Sequence, residues 1–265
     1  MKRMVIPRGL AKLSLLAFYL VTTVAAEASE VKVMISGGLT AAYRELVPQF
    51  ERATGNTVIT VYGPSMGTTE NAIPVRLARG ETADVLIMVG DALDAMIEQG
   101  RAGAANRVDL VRSPIGMVVR AGAEKPDIST PTALKQTLLN AKSVVYSDSA
   151  SGVYVGTQLF KRLGIAEEMK DKARMIPAEP VAAVVARGEA ELGFQQISEL
   201  LPVPGADLVG PLPTEMQKIT IFSASITTNA RQSDAGKVLI AFLASAAAVP
   251  ALTKAGLEPF ASSAK

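Results

Sequence analysis

The sequence predicts an α/β protein of two similar lobes, and three observations carry that expectation. Short apolar strand patterns alternate with helical ones along most of the chain. The strand candidate Val85–Val89 is apolar throughout, as strands in the middle of a parallel sheet are. One helix-to-strand junction also recurs: Ala78-Arg79-Gly80-Glu81 precedes Ala83-Asp84-Val85-Leu86-Ile87, and 108 residues later Ala186-Arg187-Gly188-Glu189 precedes Ala190-Glu191-Leu192-Gly193-Phe194. Coincidence is the alternative, because many α/β units end a helix with such residues.

Taken in order, Val31–Ile35 is the first strand candidate and runs into Ser36-Gly37-Gly38-Leu39-Thr40. Leu46, Val47, Phe50 and Ala53 then recur at helical spacing, with Gly55 where a C-cap belongs. Val58–Tyr62 is the next strand. Gly63–Thr69 is a turn before a helix that ends near Gly80. A further strand is expected over Ser143–Tyr146. Ser113–Ala121 and Lys218–Thr227 read as long strands able to carry the chain from one lobe to the other and back, and a last helix over Ala235–Ala247 would return to the first lobe. No Gly/Ser-rich linker separates the halves, which favours intertwined lobes.

With 265 residues, 49% of them hydrophobic, the chain can bury a large core. Its first 26 residues read as a secretion signal. Lys2, Arg3, Arg8 and Lys12 make a positive start, the uncharged apolar stretch Leu13–Val21 follows, and cleavage after Ala26 or Ala28 fits the small-residue rule. An uncleaved anchor is the other reading, but the run from Leu13 to Ala26 falls short of the roughly 20 residues a span needs, and no later segment is a plausible span. Removing the leader leaves 23 basic against 25 acidic residues, a balance that gives no reason to expect nucleic-acid or membrane binding. The chain has neither His nor Cys. That excludes disulfides, a Ser-His-Asp triad, a thiolate nucleophile and a His/Cys zinc site. Gly63-Pro64-Ser65-Met66-Gly67 spells a nucleophile elbow, but nothing is present to activate the serine.

Three loops share one physical character. Ser36-Gly37-Gly38-Leu39-Thr40, Ser65-Met66-Gly67-Thr68-Thr69 and Ser147-Asp148-Ser149-Ala150-Ser151-Gly152-Val153-Tyr154 each follow a strand and lead toward a helix. A helix start offers unpaired N–H groups and partial positive charge, glycine lets a ligand approach the backbone, and hydroxyls add donors. Such loops at the carboxyl ends of parallel strands are where α/β proteins bind ligands. Ordinary helix capping by Ser and Thr is the competing explanation for each. Asp148, Glu70, Glu179, Tyr146 and Tyr154 lie in or beside these loops and are able to transfer protons. Arg76 could reach an anion from the helix after the second loop. Gln195-Gln196 follows an apolar strand and could donate amide hydrogen bonds into a cleft.

Leu39-Thr40 with Leu46, Phe50 and Thr54-Gly55, then Ala83–Ile87, Ser151-Gly152-Val153-Tyr154 and Pro177-Ala178-Glu179-Pro180-Val181 before Leu192-Gly193, form a pattern that resembles the molybdate-binding branch of the type 2 periplasmic binding proteins. The resemblance runs from about Val31 to Phe260. It implies a two-lobed fold, each lobe a mainly parallel sheet flanked by helices, with the ligand in the interlobe cleft. Lobe 1 is then expected over 27–112 and 222–265, and lobe 2 over 113–221. Ser36–Thr40, Tyr62–Gly67 and Tyr146–Gly152 also look like the corresponding stretches of the bacterial aconitate isomerases, exported enzymes on the same fold.

What the resemblance implies is a periplasmic protein that closes on a small anion, a tricarboxylate or an oxyanion, without cofactor or metal. Ser36, Gly37, Gly38, Ser65, Met66, Gly67, Thr68, Ser149, Ser151, Gly152, Val181 and Gln196 would line its cleft. Asp148 and Tyr154 are the first choices for proton transfer. A non-catalytic receptor serving an ABC permease is the rival reading. The family usually has a serine where this chain has Gly38, a serine-rich second loop where it has Ser65-Met66-Gly67, and a cleft tyrosine where it has Gln196. Loss of the serine side chain at Gly38 is expected to enlarge the pocket, which suits a polycarboxylate.

Overall fold

The computed structural model describes Met1 and residues 28–177 and 179–260. The expected leader over residues 1–26 lies, Met1 apart, outside the described residues, as does Ala178. The chain runs β1 (Glu30–Ile35), α1 (Thr40–Thr54), β2 (Thr57–Tyr62), α2 (Ile73–Ala78), β3 (Val85–Val89), α3 (Gly90–Glu98), β4 (Val108–Ser113) and β5 (Ile115–Arg120). It continues through α4 (Pro131–Asn140), β6 (Val144–Ser147), α5 (Ala150–Tyr154), a π-helical turn at Val155–Leu159, α6 (Phe160–Arg162), β7 (Ala173–Ile176), α7 (Val181–Ala186), β8 (Leu192–Gln196) and α8 (Ile197–Leu200). β9 (Ala206–Pro211), β10 (Thr220–Ile226), α9 (Ser233–Leu243), α10 (Val249–Lys254) and β11 (Glu258–Pro259) complete it.

Two sheets result, a six-stranded one ordered β11-β4-β10-β3-β1-β2 and a five-stranded one ordered β7-β6-β8-β5-β9. In the first, β1 lies between β2 and β3 and is parallel to both. In the second, β6 lies in the same way between β7 and β8. Both sheets are mixed, not mainly parallel as expected: β10 joins β3 and β4 antiparallel, and β5 joins β8 and β9 antiparallel. The crossing segments must run back through the sheets they connect, which reverses their direction. Helices cover both faces of each sheet, and buried apolar clusters occupy each face. Val85, Leu86, Ile87 and Met88 of β3 have no exposed surface, which explains why that strand carries no polar alternation.

The recurring junction is a structural repeat. Arg79-Gly80-Glu81 ends α2 before β3, and Arg187-Gly188-Glu189 ends α7 before β8. Both glycines are left-handed, at φ +90° and +76°, and in each copy the arginine Nε donates to the glutamate two residues on, at 2.8 and 2.6 Å. Two boundaries differ from expectation. The strand expected over Ser113–Ala121 begins at Ile115, and the chain reaches it through a separate strand, β4, turning at Ser113-Pro114. The final helix breaks after Leu243, where Ser245 is extended and its hydroxyl donates to the Phe242 carbonyl, before α10 begins at Val249-Pro250.

Candidate functional site

The carboxyl ends of β1, β2, β3, β6, β7 and β8 converge on one cavity of about 450 Å³. Its lobe 1 wall comes from Ser36, Gly37, Gly38, Thr40 and Arg44 after β1, Tyr62–Met66, Thr69 and Asn71 after β2, and Phe222 on β10. Asp148, Ser149 and Ala150 face them from the start of α5, with Glu179-Pro180 before α7 and Gln195, Gln196, Ser198 and Glu199 around the β8–α8 junction. The volume falls within the range of small-molecule sites.

Helix capping does not explain the three loops. No side-chain cap is made by Ser36, by Ala72 before α2, or by Ser149 before α5. The Ser36 hydroxyl, 3% exposed, has no hydrogen-bond partner within the protein, and neither does that of Ser198, 2% exposed; both residues line the cavity. A buried hydroxyl without a partner costs about 1–3 kcal/mol, and a polar ligand would recover that cost. Ser65 belongs to another part of the wall: its hydroxyl accepts from the Val89 N–H at 2.9 Å and so fastens the second loop to the end of β3. Ser147, Ser149 and Ser151 bond one another through their hydroxyls at 2.7, 3.2 and 3.3 Å.

Of the residues expected in the cleft, the structure brings Ser36, Gly37, Gly38, Ser65, Met66, Asp148, Ser149 and Gln196 to the cavity wall. The others lie off it. Gly67 and Thr68 are exposed at the tip of the second loop. Ser151 is fully buried behind Ser149, and a Cβ on Gly152 would collide with the Ser147 carbonyl, so that glycine serves packing. The Val181 N–H donates to Oε1 of Gln195 at 3.1 Å. Tyr154 is turned away: its hydroxyl donates to the Met216 carbonyl at 2.6 Å and accepts from Arg162 at 2.8 Å. Glu70 is exposed, Arg76 pairs with Glu81 at 2.8 Å, and Glu179 at the rim pairs with Arg187 at 2.6 Å.

Two expectations about the family positions change. Gly38 does not enlarge the cavity, because the Phe222 ring occupies the space a Cβ would take. The Gln196 amide serves the crossover between lobes: its oxygen accepts from Thr220 at 2.7 Å and its nitrogen donates to the carbonyls of Ser113 and Pro114 at 2.9 and 3.2 Å.

A model of the bacterial extracellular solute-binding proteins matches residues 31–258. The chain belongs to that family. An aconitate isomerase from Pseudomonas sp. is 50% identical over 250 residues, 94% of this chain and 93% of that one. The molybdate-binding protein ModA of Azotobacter vinelandii is 26% identical over 235 residues, 83% and 86% of the two chains. Among solved structures, the A. vinelandii periplasmic molybdate-binding protein superposes with a TM-score of 0.68 at 18% identity, covering 86% of this chain and 98% of that one. The sulfate-binding protein SubI of Mycobacterium tuberculosis gives 0.69 at 15% identity, covering 88% of each. These superpositions establish the two-lobed solute-binding fold.

The solute-binding cleft holds two charged groups that sequence reasoning did not single out. Arg44 is the one Lys or Arg among the residues lining the cavity; it lies over the Tyr62 ring, 5.1 Å from its centroid, with Nε 3.5 Å from the hydroxyl. Its position four residues into α1, one helical turn from Thr40, was the available signal. Glu199 sits on the first turn after β8, against Gly37 and beside Asp148. Burial pushes its carboxyl up to about 7; a hydrogen bond from Gln195 opposes that shift and the Asp148 charge adds to it. The signal there was an acid directly after the Gln195-Gln196 strand end.

Proposed function

We propose that this protein interconverts trans- and cis-aconitate by an allylic proton shift in the cleft between its lobes. The observation that carries the reading is 50% identity to the Pseudomonas sp. aconitate isomerase, sustained over 94% of this chain and 93% of that one. Identity alone does not place chemistry, but the cleft is compatible with it. The unpaired hydroxyls of Ser36 and Ser198 are donors for carboxylate oxygens, Arg44 at the mouth supplies positive charge, and Asp148 and Glu199 supply carboxyl groups for proton transfer. The reaction asks only for acid/base side chains and donors that stabilise the enolate-like charge formed when the proton leaves. On this reading the leader over residues 1–26 is removed, the protein works in the periplasm, and its lobes divide at 27–112 with 222–265 against 113–221.

The 26% identity to a molybdate-binding protein favours a second reading, a receptor that delivers an oxyanion to a permease. Proton NMR of the purified protein with trans-aconitate in heavy water separates the two. The isomerase reading expects conversion of trans- to cis-aconitate. No turnover, with thermal stabilisation by molybdate and none by tricarboxylates, would establish the receptor instead.

A further inference from the structure

Several acidic or phenolic groups near the cleft are able in principle to move a proton, and their surroundings separate them. Tyr154 is held by Met216 and Arg162, Glu179 by Arg187, and Tyr62 is 39% exposed beside Arg44. Asp148 is exposed. Glu199 differs from all of these. It rises from the floor at the β8–α8 junction, and a Cβ on Gly37 would collide with its Oε1, so its carboxyl lies against the lobe 1 backbone. Lobe 2 contributes Gln195, whose Oε1 is held by the Val181 N–H at 3.1 Å, leaving its amide nitrogen for the Glu199 carboxyl. The helix carrying Glu199 is itself wedged between lobes, because a Cβ on Gly256 would meet Ile197 at 2.6 Å and Leu201 at 3.0 Å. A carboxyl fixed by both lobes is held in one place when the cleft is closed on a ligand.

We propose that Glu199 is the catalytic residue that carries the migrating proton, and this rests on the isomerase reading above. The Glu199 carboxylate takes a proton from the substrate's methylene carbon. The C–H electron pair spreads over the allyl unit and its attached carboxylates. Glu199 then returns the proton to the other allylic carbon, the double bond has moved by one position, and the carboxylate is regenerated. No electrons leave the substrate and no co-reactant is consumed. Asp148 beside Glu199 raises its proton affinity, and burial does so more strongly, so the group sits near neutrality, where a carboxyl both removes and returns protons efficiently. The other charged groups facing the cavity are Arg44 from α1 and Glu179 before α7.

The test compares the unaltered protein with Glu199→Gln, Glu199→Asp and Asp148→Asn, following trans-aconitate turnover by NMR and binding by ligand-induced thermal stabilisation. Glu199→Gln is expected to lose roughly 10²–10⁴-fold in kcat while trans-aconitate still raises its melting temperature. Glu199→Asp should retain intermediate activity. The acid limb of kcat/KM, expected near pH 7 in the unaltered protein because the Glu199 carboxyl is raised to about 7, should move to lower pH in Asp148→Asn. Turnover by Glu199→Gln within about tenfold of the unaltered protein, or an acid limb that Asp148→Asn leaves in place, overturns the proposal and spares the isomerase reading. A folded Glu199→Gln that no longer binds overturns it too, by making Glu199 a ligand-holding group. Should Glu199→Gln fail to fold, a pH profile for Glu199→Asp identical to that of the unaltered protein overturns it. Absence of turnover in the unaltered protein removes the reading and the proposal together.

Discussion

Replacing Glu199 by Gln should stabilise this protein in alkaline solution and leave its stability unchanged in acid. The carboxyl ordinarily titrates at 4.5 and in the folded protein at about 7, chiefly because burial disfavours its charged form. Since the folded-state value is raised, the contribution of the protonated acid to stability is fully present below pH 4.5 and lost as pH rises through about 7. At about 1.4 kcal/mol per pKa unit, the shift corresponds to about 3 kcal/mol lost at pH 8.5. An amide resembles the protonated acid in shape and never ionises, so Glu199→Gln escapes that loss. A chain of this size gains about 2–4 °C per kcal/mol, so its melting temperature at pH 8.5 should exceed that of the unaltered protein by roughly 6–12 °C. At pH 4.5 the two should agree within about 1 °C. Thermal unfolding followed by circular dichroism at pH 4.5, 6, 7 and 8.5 measures this directly. A pH-independent difference, or destabilisation at pH 8.5, would refute the argument, because either means that the Glu199 carboxyl is not held in a setting that favours its neutral form.

Three further outcomes follow from the geometry. Arg44→Gln should raise KM for trans-aconitate about tenfold with little change in kcat, measured by steady-state NMR kinetics, because an exposed guanidinium at the mouth stabilises ground state and transition state alike. Gly38→Ser should cost about 1–3 kcal/mol in urea unfolding through collision with the Phe222 ring, and Phe222→Val in the same chain should recover most of that loss. Asp84→Ala should destabilise by at least about 3 kcal/mol with KM unaltered, since the buried carboxylate accepts from the Lys32, Arg231 and Gln232 N–H groups at 2.8, 2.7 and 2.9 Å, far from the cleft.

The fold was legible because its signals are local. Apolar strands such as β3, the left-handed Gly55 that closes α1, and the repeated Arg-Gly-Glu junction each express a requirement met within a few residues. β4 was not legible: Asp109 and Arg112 interrupt its apolar residues, and it becomes a strand by pairing with β10 and β11, both distant in sequence. The site divided along the same line. Loops at strand ends were readable as cleft-forming because strand ends are readable. What each hydroxyl does there was not, since Ser65 answers to Val89, and Ser149 and Ser151 to Ser147. Glu199 had no local mark, because its setting is made by Gly37, Gln195 and Asp148 from both lobes.

The Gly37-Gly38 pair shows how far a motif can be right in place and wrong in reason. Read alone, two glycines ahead of a helix suggest a backbone opened for a ligand. In the structure each glycine admits a side chain: Gly37 the Glu199 carboxyl, Gly38 the Phe222 ring. The consequence for activity is specific. A solute-binding cleft needs donors only, and those remain in Ser36 and Ser198. Space at Gly37 lets an acid stand inside the cleft without displacing the loop, and the Phe222 ring fills the space at Gly38. Burial of that acid, with the Asp148 charge adding to it, is what raises its proton affinity. The substitution that separates binding from catalysis is therefore Gly37→Ala. Its Cβ would push the Glu199 carboxyl from its seat while Ser36 keeps its hydroxyl, so binding of trans-aconitate should persist as kcat falls by roughly the factor expected for Glu199→Gln. Equal kcat in Gly37→Ala and the unaltered protein would show that the contact between Gly37 and Glu199 has no part in turnover.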